Sequence, residues 1–481
     1  ADQCVGDCVA LDLFGGPGSI TPEMLDYIGY TGIGHGYSDQ RIWQLNLNGD
    51  LFELPGGIAG MAIGYAFREE SGGYIPDPIT ATGNTTGNKE ESTEGNYDVH
   101  EAYAEFLLPI VGDLPGIENL ELSAAARFFD YSSFGSDFMW KVGLKWQVIE
   151  DLTLRGTYST AFRAPSVSEM YLGTSDSFPL VGDPCSNVDE AGNPRELTAE
   201  QQANCAEDGV PATHEDSRAQ LHAIVGGNDK LNPETATTLT AGLVYTPSFL
   251  EGLSLTLDYY NVSIKNAITT MGADILLSSC YSQADSEYCD KIIRDNQTNL
   301  ITDINDTLTN IGGTDTSGVD FNLGYRLATS VGRFGFGLHG TWLEKYNVTL
   351  PDGREIEGKG VYDLGVNPDI KANANLRWSL DEFGAGMNVR FVGAFEECEN
   401  DDCTIEDAKR RDVESNTTVD LYTSYVFNIM DGMGDSALSV GVNNILDTKP
   451  AVIYNGFLGT SDASAYDFVG RYVYLRLTQS L

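Results

Sequence analysis

The five histidines of this chain do not lie in a spacing that is typical of a catalytic or metal site. They are dispersed as His35, His100, His214, His222 and His339, and the chain contains no GxSxG, HExxH or Walker sequence. Those motifs place a nucleophile, two zinc ligands or a phosphate cradle at fixed spacing. We therefore expect no enzymatic activity, no catalytic residue, no metal site and no cofactor.

Two further stretches match binding motifs only in part. Residues 335–340 read GFGLHG, the letters of the dinucleotide fingerprint, but they lie inside an alternating strand pattern with no helix after them. Residues 396–407 read EECENDDCTIED, but the spacing of a calcium-binding EF-hand loop is missing. We interpret the first stretch as a chance match and the second as a solvated acidic loop.

The composition excludes one class of partner and limits the architecture. The chain has 28 basic and 71 acidic residues, a net charge of −43, whereas binding to nucleic acid needs clustered Lys and Arg. No window of the sequence approaches the roughly 18 consecutive apolar residues of a membrane helix. A chain of this kind that spans a membrane must therefore do so as a barrel.

Strict alternation of apolar and polar residues is the clearest signal of secondary structure. It runs from Ile370 to Leu380, pauses for two residues and resumes at Phe383, which predicts a hairpin. One face of this hairpin suits lipid and the other suits water. The predicted register pairs Leu380 with Phe383, Trp378 with Ala385, Leu376 with Met387, Asn375 with Asn388 and Asn373 with Arg390.

About fifteen such strands follow one another, and their connections alternate between short and mostly long. The predicted starts lie near residues 41, 57, 98, 118, 138, 152, 236, 253, 314, 333, 369, 383, 416, 436 and 470. Outer-membrane barrels have short periplasmic turns and longer extracellular loops. The pattern therefore predicts an all-β fold, a transmembrane antiparallel β-barrel with its long connections outside.

The eight cysteines agree with this orientation. They group by sequence proximity, without CxxC spacing, and every group falls in the opening segment or in a long connection. Because disulfides form in oxidising compartments, we expect four structural disulfides in extracellular loops. The predicted pairs are Cys4/Cys8, Cys185/Cys205, Cys280/Cys289 and Cys398/Cys403.

The strand count predicts that the chain is part of a longer polypeptide. With fifteen strands the first and the last run in the same direction and cannot pair antiparallel, and ordinary bacterial barrels have even strand numbers. We assign residues 1–40 to an extracellular loop segment and residues 41–481 to the C-terminal part of a barrel.

Single residues predict two loop helices and one strand end. Thr21 and Pro22 are suited to the cap and first position of a helix, and Thr198 and Gln201 have capping-box spacing. Pro165 cannot donate to a strand ladder, so the preceding strand should end at Phe162. The chain should then pass through Arg163 to Pro165 into the longest external loop.

Five stretches of the chain resemble, in order, the C-terminal part of TonB-dependent outer-membrane receptors. They are YSTAFRAPSVSEMY, LNPETATTLTAGLVYTP, LDYYNVSIKNAI, TNIGGTDTSGVDFNLGYRL, and SVGVNNILDTKPA with GRYVYLRLTQSL. The resemblance implies a plugged barrel of about 22 strands in the outer membrane of a Gram-negative bacterium. It also implies import of a scarce nutrient, such as a siderophore, cobalamin, an oligosaccharide or a peptide, with energy from the inner-membrane TonB complex.

This chain departs from the family pattern in two ways. The N-terminal plug, the TonB box and about seven strands are missing, and the last residue is Leu481 rather than an aromatic residue. The second departure weakens the terminal signal for assembly.

On this interpretation the polar face of the predicted hairpin points into the lumen. Its basic and amide side chains suit an anionic or hydroxylated ligand, although the basic ones could instead pair with carboxylates of the plug. Outer-membrane lipid and lipopolysaccharide are further expected partners. The alternative function is a passive pore or a surface-binding barrel without TonB coupling. The candidate substrate-binding residues are Lys371, Asn373, Asn375, Arg377, Asn388 and Arg390.

Overall fold

The computed structural model describes residues 8–189, 191–283, 286–350, 353–362, 364–398, 409–428, 434–454, 456 and 460–479. Within these residues, one sheet has sixteen strands, of which the short strand Glu355–Glu357 pairs at its side. The other fifteen strands pair in a continuous path, which we call the wall sheet. They are β1 His35–Leu54, β2 Gly57–Ile75, β3 Thr93–Leu114, β4 Ile117–Tyr131, β5 Gly135–Ile149, β6 Leu152–Arg163, β9 Glu234–Tyr245, β10 Leu253–Lys265, β15 Gly313–Thr329, β16 Gly332–Thr349, β18 Ile370–Leu380, β19 Phe383–Val392, β22 Asn416–Phe427, β23 Ser436–Asn443 and β24 Tyr472–Gln479.

The connections contain shorter elements. Their strands are β7 Ser175–Ser177, β8 Ala223–Val225, β11 Ile268–Thr269, β12 Ile292–Arg294, β13 Ile301–Asn305, β14 Thr309–Asn310, β17 Glu355–Glu357, β20 Phe395–Cys398 and β21 Arg410–Val413. Their helices are α1 Pro22–Ile28, α2 Val167–Tyr171, α3 Ala199–Glu207, α4 Ala273–Gln283 and α5 Ser286–Cys289. Among the described residues, no helix is both long enough and apolar enough to cross a membrane.

The fifteen predicted strands are confirmed, and they pair in chain order. The order is β1-β2-β3-β4-β5-β6-β9-β10-β15-β16-β18-β19-β22-β23-β24, and neighbours are antiparallel throughout. β1 and β24 therefore run in the same direction, as predicted. β1 starts at His35 rather than near residue 41, because His35 to Gln40 continue the ladder with Glu70 to Ile75 of β2 beyond the apolar alternation.

The register of the β18–β19 hairpin is confirmed at every predicted pair. Its apolar face, which we call the outer face, exposes large side chains such as Leu376 and Phe383. An apolar outward band is typical of contact with lipid. The opposite, polar face is the lumen face. The GFGLHG stretch lies in β16 and pairs on both sides, so it does not form a strand–helix turn for a dinucleotide.

Two long connections fold together into a subdomain that we call the cap, the described residues of 173–231 and 268–309. β7, β8, β12 and β13 form one sheet in the order β12-β13-β8-β7, over a core that includes Leu221, Leu276 and Ile304. The predicted disulfides Cys185–Cys205 and Cys280–Cys289 are confirmed in this cap.

The other two predicted disulfides are only partly described. Cys8 and Cys398 lie within the described residues, and each is disulfide-bonded. Their predicted partners, Cys4 and Cys403, lie outside the described residues, as does the acidic stretch from residue 399 to 407. The predicted pairing of Cys8 with Cys4 is therefore not confirmed by the structure, and neither is that of Cys398 with Cys403. Both pairings stay predictions.

Both predicted loop helices are confirmed at the predicted caps. The Thr21 side chain accepts from the backbone of Met24 at the start of α1, and Pro22 takes the first helical position. Thr198 and Gln201 form a reciprocal capping box at the start of α3.

Candidate functional site

Five of the six candidate substrate residues line one cavity on the lumen face. The register pairs Asn373 with Arg390 and Asn375 with Asn388, and Arg377 lies two positions further along β18. These side chains border a cavity of 540 Å³. The rest of its lining is mostly polar and comes from β16, β18, β19, β22, β23 and the connection to β24: His339, Ala374, Val389, Thr418, Asp420, Asn443, Asn444 and Asp467.

Lys371 and Arg390 also hold neighbouring connections in place. Lys371 Nζ donates to the carbonyl of Val366 at 2.6 Å, and Arg390 Nη2 donates to the carbonyl of Ala465 at 2.9 Å. Lys371 does not line the 540 Å³ cavity. Sequence reasoning could not distinguish these anchoring lysine and arginine side chains from free ones, because the acceptors are backbone carbonyls of irregular loops.

A second cavity of 900 Å³ lies nearer the short turns and shares Asn375 and Arg377 with the first. Arg326 and Arg333 also line it. The lumen rows of β15 to β24 are therefore rich in cations, while the chain as a whole carries a charge of −43. By register the basic residues in these rows are Arg326, Arg333, Lys371, Arg377, Arg390 and Arg476, and the rows also contain Asp320 and Asp420.

On the lumen face of the strands that precede β15, an ion pair reaches across a complete strand. Arg155 of β6 donates to both carboxylate oxygens of Asp258 of β10, at 2.8 and 2.5 Å. Gly242 of β9 lies between them, paired with each in the ladder. A Cβ at this position would lie 2.0 Å from Asp258 Oδ1. Glycine is therefore required for the pair to close.

We expect Gly242→Ala to lower the stability of the wall sheet by about 1–3 kcal/mol, because the new methyl group overlaps Asp258 and forces the ion pair apart. Urea unfolding of the purified receptor, followed by tryptophan fluorescence, measures this change. Gly335→Ala is the matched control, since a Cβ there meets nothing within 4 Å. Equal midpoints for the two variants would contradict the role assigned to Gly242.

The FRAPSVSEMY stretch turns back onto the lumen face. β6 ends at Arg163, and Ser166 caps α2 in a reciprocal capping box with Glu169. Arg163 donates Nε and Nη2 to Glu234 at 2.8 and 2.9 Å, and Nη1 to Glu169 at 2.8 Å. One guanidinium thus joins β6, β9 and α2. Sequence reasoning missed α2, although Ser166 and Glu169 have the same spacing that predicts α3.

α2 packs against an aromatic cluster at the end of the wall sheet where the long connections begin. Met170 is buried with Tyr97, Phe129 and Tyr131, which belong to β3 and β4. The Tyr171 ring lies directly on Gly95, where a Cβ would be 1.9 Å from the ring. The first part of the longest loop is therefore folded inside the mouth of the wall sheet.

Arg163→Lys should loosen α2, because an ammonium group keeps the charge but cannot form the guanidinium fork. The side chain of Arg163 is half exposed, so we expect a loss of about 1–2 kcal/mol. Hydrogen exchange of the α2 amides measures the effect. Arg41→Lys is the control, since Arg41 makes one exposed contact with Glu69 at 3.5 Å. Unchanged α2 protection in Arg163→Lys would show that the fork does not hold the helix.

A buried group in the cap has the composition of a metal site but is already neutralised. The ligand atoms of Asp183, His214 and Asp216 lie within 4.8 Å of one another. Arg294 donates to both oxygens of Asp183, at 2.6 and 2.8 Å, and Arg218 donates to both oxygens of Asp216. The two guanidinium groups already balance the negative charge of the carboxylates that would bind a cation. This cluster is a structural ion network.

Comparison with known proteins agrees with the fold. The sequence model of the family described as "TonB dependent receptor-like, beta-barrel" matches residues 14–445. The structure is similar to the siderophore receptor PirA from Acinetobacter baumannii, with a TM-score of 0.57 at 14% identity over 92% of this chain and 55% of that chain. It is also similar to a mutant ferric enterobactin receptor PfeA from Pseudomonas aeruginosa in complex with enterobactin, with a TM-score of 0.60 at 16% identity over 95% of this chain and 56% of that chain.

This chain thus spans little more than half the length of the receptors that it matches in structure. The family is one of receptors rather than of enzymes. Since its model covers most of the sequence, and the wall sheet has the predicted strand order, this chain belongs to the TonB-dependent receptors, as part of their β-barrel.

Proposed function

We propose that this chain forms a large part of the wall of a TonB-dependent importer in the outer membrane of a Gram-negative bacterium. Its cargo is a scarce nutrient, and its partners are the TonB complex of the inner membrane and the surrounding lipid and lipopolysaccharide. The observation that carries the proposal is the family match over residues 14–445. In this proposal residues 1–40 belong to an extracellular segment, whose end from His35 to Gln40 already forms the start of β1, and residues 41–481 belong to the barrel.

The cargo class that the lumen favours is an anionic, oxygen-rich iron chelate of the siderophore type. The cations on the lumen rows of β15 to β24 attract an anion more strongly inside a wall of low dielectric constant than they would in water. Guanidinium and carboxamide groups are suited to carboxylate, catecholate or carbonyl oxygens. The similar solved structures are named as a siderophore receptor and a ferric enterobactin receptor, which supports the same class.

Asn373, Asn375, Arg377 and Asn388 are the proposed cargo contacts, whereas Lys371 and Arg390 position the adjoining loops. We expect Arg377→Gln to weaken binding of a ferric catecholate by about tenfold or more, because a charge-assisted hydrogen bond contributes about 1.5–3 kcal/mol. Titration calorimetry on the full-length receptor measures the affinity. Pairing with a plug is the competing explanation for Arg377. It predicts unchanged affinity and a lower unfolding temperature.

Planar-bilayer recording of the full-length receptor separates import from the competing function. A plugged transporter leaves the membrane electrically silent. A steady large conductance without TonB would favour a passive pore and would overturn the proposal.

A further inference from the structure

His222 lies in the cap between carboxylates from two different strands. Its Nε2 is 3.0 Å from Asp176 Oδ1 on β7, and its Nδ1 is 2.8 Å from Asp303 Oδ1 on β13. Nδ1 is also 3.3 Å from the carbonyl oxygen of Thr302. These three partners all accept hydrogen bonds, so both ring nitrogens have to donate.

Only the charged ring can satisfy this arrangement. A neutral imidazole carries one N–H group, whereas imidazolium carries two. Partial burial lowers the pKa of His222, but the hydrogen bonds to Asp176 and Asp303 outweigh this effect and raise the pKa above its ordinary value. The hydrogen bond from His222 in turn lowers the pKa of Asp176.

Asp176 also ties the cap to a third connection, the one between β2 and β3. Its backbone N–H donates to the carbonyl of Lys89 at 3.3 Å, and its Oδ2 accepts from the Lys89 N–H at 3.4 Å. Asn88 Nδ2 donates to the carbonyl of Asp176 at 2.6 Å, and the Glu91 N–H donates to Thr174 at 3.0 Å. We call residues 88–91 and 174–176 the seam.

We propose that His222 is a proton-dependent latch that keeps the seam closed, so that three external connections move as one body while the ring is charged. When the ring loses a proton, the remaining hydrogen stays on Nδ1, which faces two acceptors. Nε2 then presents a lone pair to Asp176, and the two groups repel. Among the described residues of the seam, the other charged side chains are Lys89, Glu90 and Glu91. Lys89 and Glu91 pair with each other at 3.4 Å, and Glu90 accepts a hydrogen bond from the Tyr74 hydroxyl at 3.4 Å.

The direction of the pH dependence follows from the raised pKa of His222. The stabilisation is complete below the ordinary histidine pKa of about 6.5 and is lost as the pH rises through the raised value. The lowered pKa of Asp176 keeps its carboxylate charged down to acidic pH. As the pH falls, the latch therefore stays closed until Asp176 is protonated. The latch lies in the external connections. The proposal of a latch therefore does not depend on whether the proposed cargo is correct.

Hydrogen exchange of the seam amides in the purified full-length receptor tests the latch. We compare about pH 5.5 with about pH 9, values that bracket the ordinary histidine pKa, after correction for intrinsic exchange. The Glu91 and Asp176 amides should lose about tenfold in protection at the higher pH, because one charge-assisted hydrogen bond is lost. Unchanged protection of the wild-type seam would overturn the proposal.

Three variants make the test specific. His222→Gln should show the low protection at both pH values. Asp176→Asn should be no less protected at the higher pH, because its Nδ2 can donate to the uncharged ring while its Oδ1 accepts from Lys89. His100→Gln, on β3 beside Tyr65, should keep the wild-type dependence. If His222→Gln does not fold, Asp176→Asn decides alone, and a wild-type pH dependence in that variant contradicts the latch.

Discussion

Arg294→Met should unfold the cap locally while leaving the wall sheet intact. The Arg294 side chain is only 8% exposed and the Asp183 side chain is fully buried, and the two are joined by two hydrogen bonds. Arg294→Met removes the guanidinium partner of the buried Asp183 carboxylate, which keeps its contacts with His214 Nε2 at 3.0 Å and the Cys185 N–H at 2.9 Å. Loss of one partner of a buried ion pair costs about 3–5 kcal/mol. Hydrogen exchange of α3 and α4 measures this loss as at least about a hundredfold in protection.

The pH dependence of the Arg294 variant gives a second readout. In the wild type, burial raises the pKa of Asp183, but the hydrogen bonds from Arg294 outweigh this effect, and the pKa lies below its ordinary value. The pair therefore stabilises the cap above the ordinary aspartate pKa and is lost as the pH falls through the lowered value. Without Arg294 the penalty should shrink on acidification, because a protonated Asp183 is neutral.

Two controls identify the buried charge as the cause. Arg410→Met removes an exposed ion pair with Glu396, 3.0 Å apart, and should cost at most about 1 kcal/mol. The double variant Asp183→Leu with Arg294→Met removes both charges and should recover much of the loss. A double variant that is as unstable as Arg294→Met alone would show that lost packing, not charge, explains the effect.

Removing the cap disulfides should have the next largest effect. Cys185–Cys205 spans a sequence separation of 20 and Cys280–Cys289 one of 9. In the chain-entropy description a ring of the larger size stabilises by about 3 kcal/mol, and the smaller ring by about 0.7 kcal/mol less. Paired substitution by alanine avoids a new buried hydroxyl group at Cys185 and Cys280, which are both 2% exposed.

We expect exchange of the cap amides to accelerate more in the Cys185→Ala/Cys205→Ala variant than in the Cys280→Ala/Cys289→Ala variant. The α2 amides outside the cap serve as the internal reference. A larger effect from the smaller ring would contradict the entropic explanation and would point to packing around Cys280, which lies beside Leu276 and Leu277 in the core.

The wall sheet could be predicted from the sequence because each strand obeys a local rule. Alternation decides which face a residue takes, and a two-residue turn fixes the register, as at Leu380 and Phe383. Side-chain caps likewise predicted α1 and α3. These signals need only neighbouring residues.

The sheet of the cap and the seam could not be predicted, because their contacts join residues far apart in the sequence. β7 and β8 have only three residues each, too few for alternation to be visible, and β8 pairs parallel with β13 through Ala223 and Ile304. Asp176, His222 and Asp303 come together only when these strands pair. The contact of Lys371 with Val366 joins residues close in sequence, but it could not be predicted either, because it depends on the path of an irregular loop.

Iron uptake with and without TonB tests the central claim most directly. Cells that express the full-length receptor receive radioactive iron as a ferric catecholate chelate, in matched strains that have or lack functional TonB. The proposed function predicts saturable uptake that requires both the receptor and TonB and that falls in the Arg377→Gln variant. Uptake at the same rate without TonB would contradict it and would favour a passive pore.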